Sequence, residues 1–221
     1  MPEFTPTPVV NRFIRILKKE LKKFLTPAVT VISRKRDPFR VLISCIISLR
    51  TKDEVTGAAS ARLFAAADTP ETMVKLRAAR IARLIYPAGF YKTKAKSIRD
   101  ICKALIQQHG SKVPDTIDEL LELKGVGRKT ANLVVTKGFG KPGICVDIHV
   151  HRISNRWGYI GTKTPDESEM ALRLELPRRH WITYNDLLVT FGQNICVPIS
   201  PRCSQCPLQG ECPKIGVERH R

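Results

Sequence analysis

Apolar residues return every three or four positions along almost the whole chain, and short turn-forming stretches separate one such run from the next. That period puts the apolar side chains on one stripe of a helix, whereas a half-buried strand needs strict alternation. The first run spans 9–24: Phe13, Leu17, Leu21 and Phe24 line one side, and Arg12, Arg15, Lys18, Lys19, Lys22 and Lys23 fill much of the rest. It predicts an amphipathic helix with a basic outer face. Pro38 suits the start of a second helix, and the apolar stretch 39–49 suits a core. Further helices are expected over 53–66, 70–76, 77–85, 93–108, 116–123, 128–137, 147–157, 165–176 and 179–194. Turn chemistry at Pro87-Ala88-Gly89 and His109-Gly110-Ser111 separates neighbours. Ile144 to Val146 could be extended, but no convincing strand pattern exists, so the expected fold class is all-α.

With 221 residues the chain is long enough for one large domain or two small lobes. Its 38 Lys and Arg outweigh 20 Asp and Glu, a formal net charge of +18. Such an excess repels itself in the folded state, and a polyanion offsets it. Nucleic acid is the expected partner, because every phosphate neutralised releases condensed counterions. Membrane insertion is not expected: the longest apolar run, 41–49, is about half of the roughly 20 residues a spanning helix requires. The start, Met-Pro-Glu-Phe-Thr-Pro, does not resemble a signal peptide, and the protein is read as soluble, intracellular and monomeric.

Seven cysteines are unevenly spread, with Cys45, Cys102 and Cys145 scattered and Cys196, Cys203, Cys206 and Cys212 gathered near the end. The scattered three are expected to be small buried apolar residues. The other four are separated by six, two and five residues, close enough to ligate one centre from one loop. Four cysteinates suit an iron-sulfur cluster or structural zinc alike, and spacing does not choose between them. Arg202 and Lys214 set positive charge beside that loop.

The strongest local signal is Leu123-Lys124-Gly125-Val126-Gly127-Arg128-Lys129-Thr130-Ala131, where one helix ends at a Gly-x-Gly turn and another begins at once. Glycines permit a tight turn and a close approach to phosphate, while the first amides of the new helix point outward. Lys124 and Arg128 flank the turn. Lys129 falls in the first turn of the second helix, where the positive helix end should lower its pKa and favour the nucleophilic neutral amine. Asp147 follows eighteen residues later, before Ile148-His149. A carboxylate reaching such a lysine could take its proton or stabilise a cationic sugar; standing apart, each residue is most simply a surface charge or a helix cap.

Three separated segments now agree: the Leu-Lys-Gly-Val-Gly-Arg-Lys-Thr-Ala hairpin, the Val146-Asp147-Ile148-His149-Val150-His151-Arg152 stretch and the six-two-five cysteine intervals. Together they resemble the endonuclease III family of helix-hairpin-helix DNA glycosylases, over about 30–213. The resemblance implies two lobes: a six-helix barrel over 31–141 carrying the hairpin, and a domain joining 1–30 to 142–221. A DNA cleft would lie between them. It implies a 4Fe-4S cluster, rather than zinc, on Cys196, Cys203, Cys206 and Cys212. It also implies flipping of a damaged base from double-stranded DNA, with Lys129 as nucleophile at the sugar C1′ and Asp147 as the essential carboxylate. The hairpin residues Lys124, Gly125, Val126, Gly127, Arg128 and Thr130 would grip phosphate.

Other positions match the family less closely. Ser48 and Asp53 resemble residues of the lesion pocket. Arg50 stands where the family usually has a glutamine that fills the gap left by the flipped base; a planar guanidinium can stack there and donate to the orphan base. Phe90 lies near a second wedge position and could stack in the duplex, or belong to the core. Lys124 replaces a frequent proline, and Ile148 a frequent threonine beside the aspartate. His149 and His151, two apart on a helix, fall on different faces, so a structural or DNA-contact role is expected in place of metal ligation. Two further readings stay open: the same scaffold acting on mismatched thymine or uracil or on alkylated bases, and a non-catalytic DNA-binding module stabilised by zinc.

Overall fold

The structure, a computed structural model, describes residues 4–24, 26–33 and 36–221. Met1 to Glu3, on which the reading of the chain's start partly rests, lie outside the described residues. Every regular element among the described residues is helical. The chain divides into two compact units, 28–143 and the combination of 1–27 with 144–221.

The first helix, α1 (Thr7–Glu20), opens on Pro6 and Pro8 and tightens into a 3-10 turn over Leu21–Lys23. Its stripe is the expected one: Val10, Phe13, Ile14, Leu17 and Leu21 are buried, and the lysines face outward.

The 28–143 unit begins with α2 (Ala28–Ser33), a six-residue helix that the apolar period did not mark. Helix α3 (Pro38–Ser48) follows, capped by the Asp37 carboxylate, which accepts from Arg40 N at 3.1 Å. Val41 to Ile47 are all buried, the pattern of a helix surrounded by others. Packed around or beyond it are α4 (Asp53–Ala66), α5 (Pro70–Lys75), α6 (Ala78–Ile85) and α7 (Tyr91–Gln108). The hairpin is made by α8 (Ile117–Glu122) and α9 (Arg128–Leu133). The single helix expected over 128–137 is interrupted: after Leu133 the backbone widens into a π turn, Val134–Gly138, in which Phe139 N reaches Val134 O at 3.3 Å. The Gly138 backbone there crosses Pro38 so closely that an added Cβ would come within 2.9 Å of it.

In the other unit the C-terminal helices α10 (Ile148–Arg156), α11 (Pro165–Glu175) and α12 (Trp181–Asn194) share one core with α1. Its centre is aromatic, with Phe13 and Trp157 edge to face at 5.3 Å, and Trp157 close to Tyr184 and Phe191. Cys196, Cys206 and Cys212 pack against this core. Ile144 to Val146 are irregular and buried, with no strand partner.

Candidate active site and cysteine-lined cavity

The turn between α8 and α9 rests on one obligatory glycine. Gly125 has φ +89°, which only glycine adopts without strain, while a Cβ on Gly127 would meet nothing within 4 Å. The Gly127 position is therefore open over the start of α9 for reasons the chain's own packing does not supply. Val126 and Thr130 are 6% and 3% exposed, so their side chains hold the hairpin to the core, and any contact with a ligand would run through their backbone. Lys124 is exposed and Arg128 half-buried.

Lys129 emerges in the first turn of α9 as an exposed side chain, yet Thr130 to Thr136 behind it are all buried. A flexible amine thus stands on an anchored base. Its charge reaches Cys45 of α3: burial pushes that thiol up to about 12, and Lys129 opposes the rise. Cys45, Cys102 and Cys145 are buried, as expected of small core residues.

Two loops of the same unit, far apart in sequence, meet at Arg50 and Phe90. Both residues are exposed, both have left-handed backbone, with φ +51° and +56°, and the guanidinium lies 5.7 Å from the ring centre. Gly89 makes this approach possible, since a Cβ there would fall 2.4 Å from Arg50 O. Phe90 is 63% exposed, which removes the core alternative for its ring. Beneath the pair, Lys94 donates to Ile47 O at 2.7 Å, to Leu49 O and to Thr51 Oγ1 at 2.8 Å, and Gly89 N donates to Thr51 Oγ1 at 3.1 Å. Sequence reading missed Lys94, although it falls on the apolar stripe of α7 with Ile98, Ile101 and Leu105; a lysine on such a stripe signals a buried, partnered cation. Ser48 spends its hydroxyl on Cys45 O at 2.8 Å, and Asp53 opens α4.

Asp147 belongs to the other unit. It is the N-cap of α10: Oδ1 accepts from His149 N at 2.8 Å and Val150 N at 2.9 Å, and the residue is 7% exposed. Ile148 beside it is 65% exposed. The two histidines point to different partners, His149 Nδ1 to Arg152 at 3.1 Å and His151 Nδ1 to Ser168 Oγ at 2.7 Å. They do not form a pair of ligands.

The four clustered cysteines line one small pocket, walled by Arg156, Trp157, Phe191 and Ile195. Among the described residues no three His, Cys, Asp or Glu side chains converge as a single ion requires. Two N–H groups already point at sulfur, Arg156 Nη1 to Cys196 Sγ and Leu208 N to Cys206 Sγ, each at 3.4 Å. Burial first, and the neighbouring thiols after it, raise the pKa of Cys206 to about 11 and push Cys212 upward too. Four half-buried thiols lining one pocket, with N–H groups aimed at two of the sulfurs, fit a cationic, multi-atom centre that would deprotonate them. Arg152 and Arg156, missed by sequence reading, tie α10 to this loop through Cys196 O, Val197 O and Pro198 O.

Comparison with known proteins agrees with these features. Residues 43–178 match the HhH-GPD superfamily base excision DNA repair protein family. Endonuclease III of Thermotoga maritima is 47% identical over 179 residues, covering 81% of this chain and 84% of that protein. Bacillus subtilis endonuclease III is 36% identical over 80% of this chain and 81% of its own. The chain spans about half of a chloroplastic Arabidopsis thaliana homolog, 49% of its length, at 43% identity. A solved trapped endonuclease III–DNA covalent intermediate, an estranged-adenine complex, superposes with a TM-score of 0.84 at 31% identity, covering 95% of this chain and 97% of that one. An all-helical fold, a Gly-x-Gly hairpin followed at once by an exposed lysine, and relatives of this identity and coverage lead to one conclusion: the chain belongs to the endonuclease III family within the HhH-GPD superfamily of base excision DNA repair proteins.

Proposed function

We propose that this chain is a base-excision-repair DNA glycosylase with abasic-site lyase activity, acting as a monomer on double-stranded DNA that carries oxidised or ring-saturated pyrimidines or abasic sites. The observation that carries the reading is Lys129, an exposed amine in the first turn of α9 on a buried helical base. The neutral amine attacks the sugar C1′, the C–N glycosidic bond breaks and the base leaves with the bonding pair and a proton. Ring opening gives a Schiff base, which acidifies the C2′ proton; its removal expels the 3′ phosphate by β-elimination. Asp147 is the carboxylate assigned to stabilise the cationic sugar and move protons, with His149 beside it in sequence.

The hairpin 124–128 and Thr130 are assigned to phosphate, with Gly127 supplying open space and Lys124 and Arg128 the charge. Arg50 and Phe90 are assigned to the gap left by the flipped base, and Ser48 and Asp53 to the pocket that receives it. Cys196, Cys203, Cys206 and Cys212 would hold a 4Fe-4S cluster, the group that the family resemblance implies; the shared pocket and the two N–H groups aimed at sulfur suit thiolate ligands. When bound, the cluster crosslinks the 196–212 segment, since ligation couples directly to folding.

Borohydride reduction on an abasic-site duplex tests the lysine chemistry. Wild type is expected to yield a covalent protein–DNA product and Lys129→Gln none; a variant that still traps would remove Lys129 from the reaction. The Arg50 departure favours a second question, the range of bases accepted. A panel of duplexes differing in one lesion or mismatch separates pyrimidine damage from mismatched or alkylated bases.

A further inference from the structure

Among the described residues Lys94 is the only buried lysine, 6% exposed. A buried ammonium loses hydration, and here that loss lowers its pKa to about 8. Capping the C-terminal carbonyls of α3, as its bonds to Ile47 and Leu49 do, would suffice for a purely structural role. Its third bond does something else. Thr51 Oγ1 takes Lys94 Nζ on one side and the Gly89 amide on the other, so one hydroxyl fastens the Arg50 loop to the Phe90 loop. Directly above that knot stand two exposed residues in left-handed conformations, side chain against side chain. Such backbones persist where the surroundings over-determine them.

We propose that Lys94 is a positioning residue for the probing of the duplex: through Ile47, Leu49 and Thr51 it locks the Arg50 and Phe90 tips together, so that the cation–π pair enters DNA as one preformed wedge. Two separately mobile side chains would have to be ordered during base flipping; a preassembled pair is ordered beforehand. The inference rests on the assignment of Arg50 and Phe90 to the gap. Its consequence is selective. The wedge is needed to extrude a stacked base and is needed less at a site that has already lost its base.

The test compares holoenzyme variants in single-turnover base release from a thymine-glycol duplex and in cleavage of a preformed abasic site, with 2-aminopurine as the opposite base to report its unstacking. Lys94→Met, which keeps length and loses every donor, is expected to lower the ratio of the two rates about tenfold and to reduce the fluorescence change. Lys94→Arg, which keeps donors, is expected to restore most of the ratio. Arg50→Ala and Phe90→Ala test the underlying assignment, and both should lower base release. If those two lose base release while Lys94→Met matches wild type, the positioning role is overturned and the wedge stands. If neither loses it, the wedge assignment itself falls. Should Lys94→Met fail to fold, Thr51→Val cuts the shared hydroxyl alone; a native melting temperature with an unchanged rate ratio then overturns the proposal.

Discussion

The carboxylate of Asp147 accepts the backbone N–H of Val150 at 2.9 Å, so the residue assigned to chemistry is also the cap that starts α10. The two roles separate by substitution. Asn keeps a capping oxygen and loses the charge, whereas Ala loses both. Asp147→Asn is expected to melt near wild type while base release falls by about a hundredfold or more, in line with the size of a positioned proton-transfer group. Asp147→Ala should lose a further ~1 kcal/mol of stability, the usual worth of such a cap. Thermal melts read beside single-turnover rates check this; equal activity in Asn and wild type would leave the carboxylate only its structural role.

Arg50 replaces an amide with a fork that only donates. In the gap the orphan base presents its Watson–Crick edge, where cytosine offers two adjacent acceptors, N3 and O2, whereas adenine offers one acceptor beside a donor. Base release from otherwise identical duplexes is therefore expected to be faster opposite cytosine than opposite adenine, by about fivefold or more if one bidentate contact forms. Arg50→Gln should bring the two rates together. A ratio that does not move on substitution would show that Arg50 does not read the opposite base.

Lys94 makes stability depend on pH with a definite sign. The native state gives up this proton near pH 8, while the ordinary value is 10.5. Below the lower value both states are protonated and the native state bears the whole desolvation cost. Between the two values the unfolded state holds more protons, so this group's contribution to stability rises with pH. Urea titrations of wild type and Lys94→Met across this window should give a difference that grows with pH. A constant difference would mean that the ammonium is not desolvated.

Both tryptophans, Trp157 and Trp181, lie in the unit that carries the four cysteines, and Trp157 walls their cavity. Cys206→Ser is expected to remove broad visible absorption and lower the transition seen by tryptophan fluorescence. Colourless wild-type protein containing zinc would overturn the cluster assignment.

The sequence announced the helices through their apolar period, and five of them carry a capping side chain as well: Asp37, Thr69, Thr116, Asp147 and Thr164 each cap the helix that follows. It missed α2, a short helix made largely of β-branched residues of low helix propensity, Val29, Thr30, Val31 and Ile32, and the π turn at 134–138, which coincides with the close crossing at Pro38. The residues assigned to chemistry each stand in a short motif, which is the kind of pattern a sequence displays. Lys94, Thr51 and Gly89 were not legible, because their connection spans 38 and 43 positions and exists only once two loops fold together. Arg156 was hidden likewise, forty residues from the sulfur it meets.

The central claim is that the Lys129 amine forms the bond to deoxyribose. Peptide mass mapping of the borohydride-trapped product measures this directly. The adduct is expected on the peptide containing Lys129, at that residue alone. An adduct on another lysine or on the N-terminal amine, with Lys129 unmodified, would contradict the account.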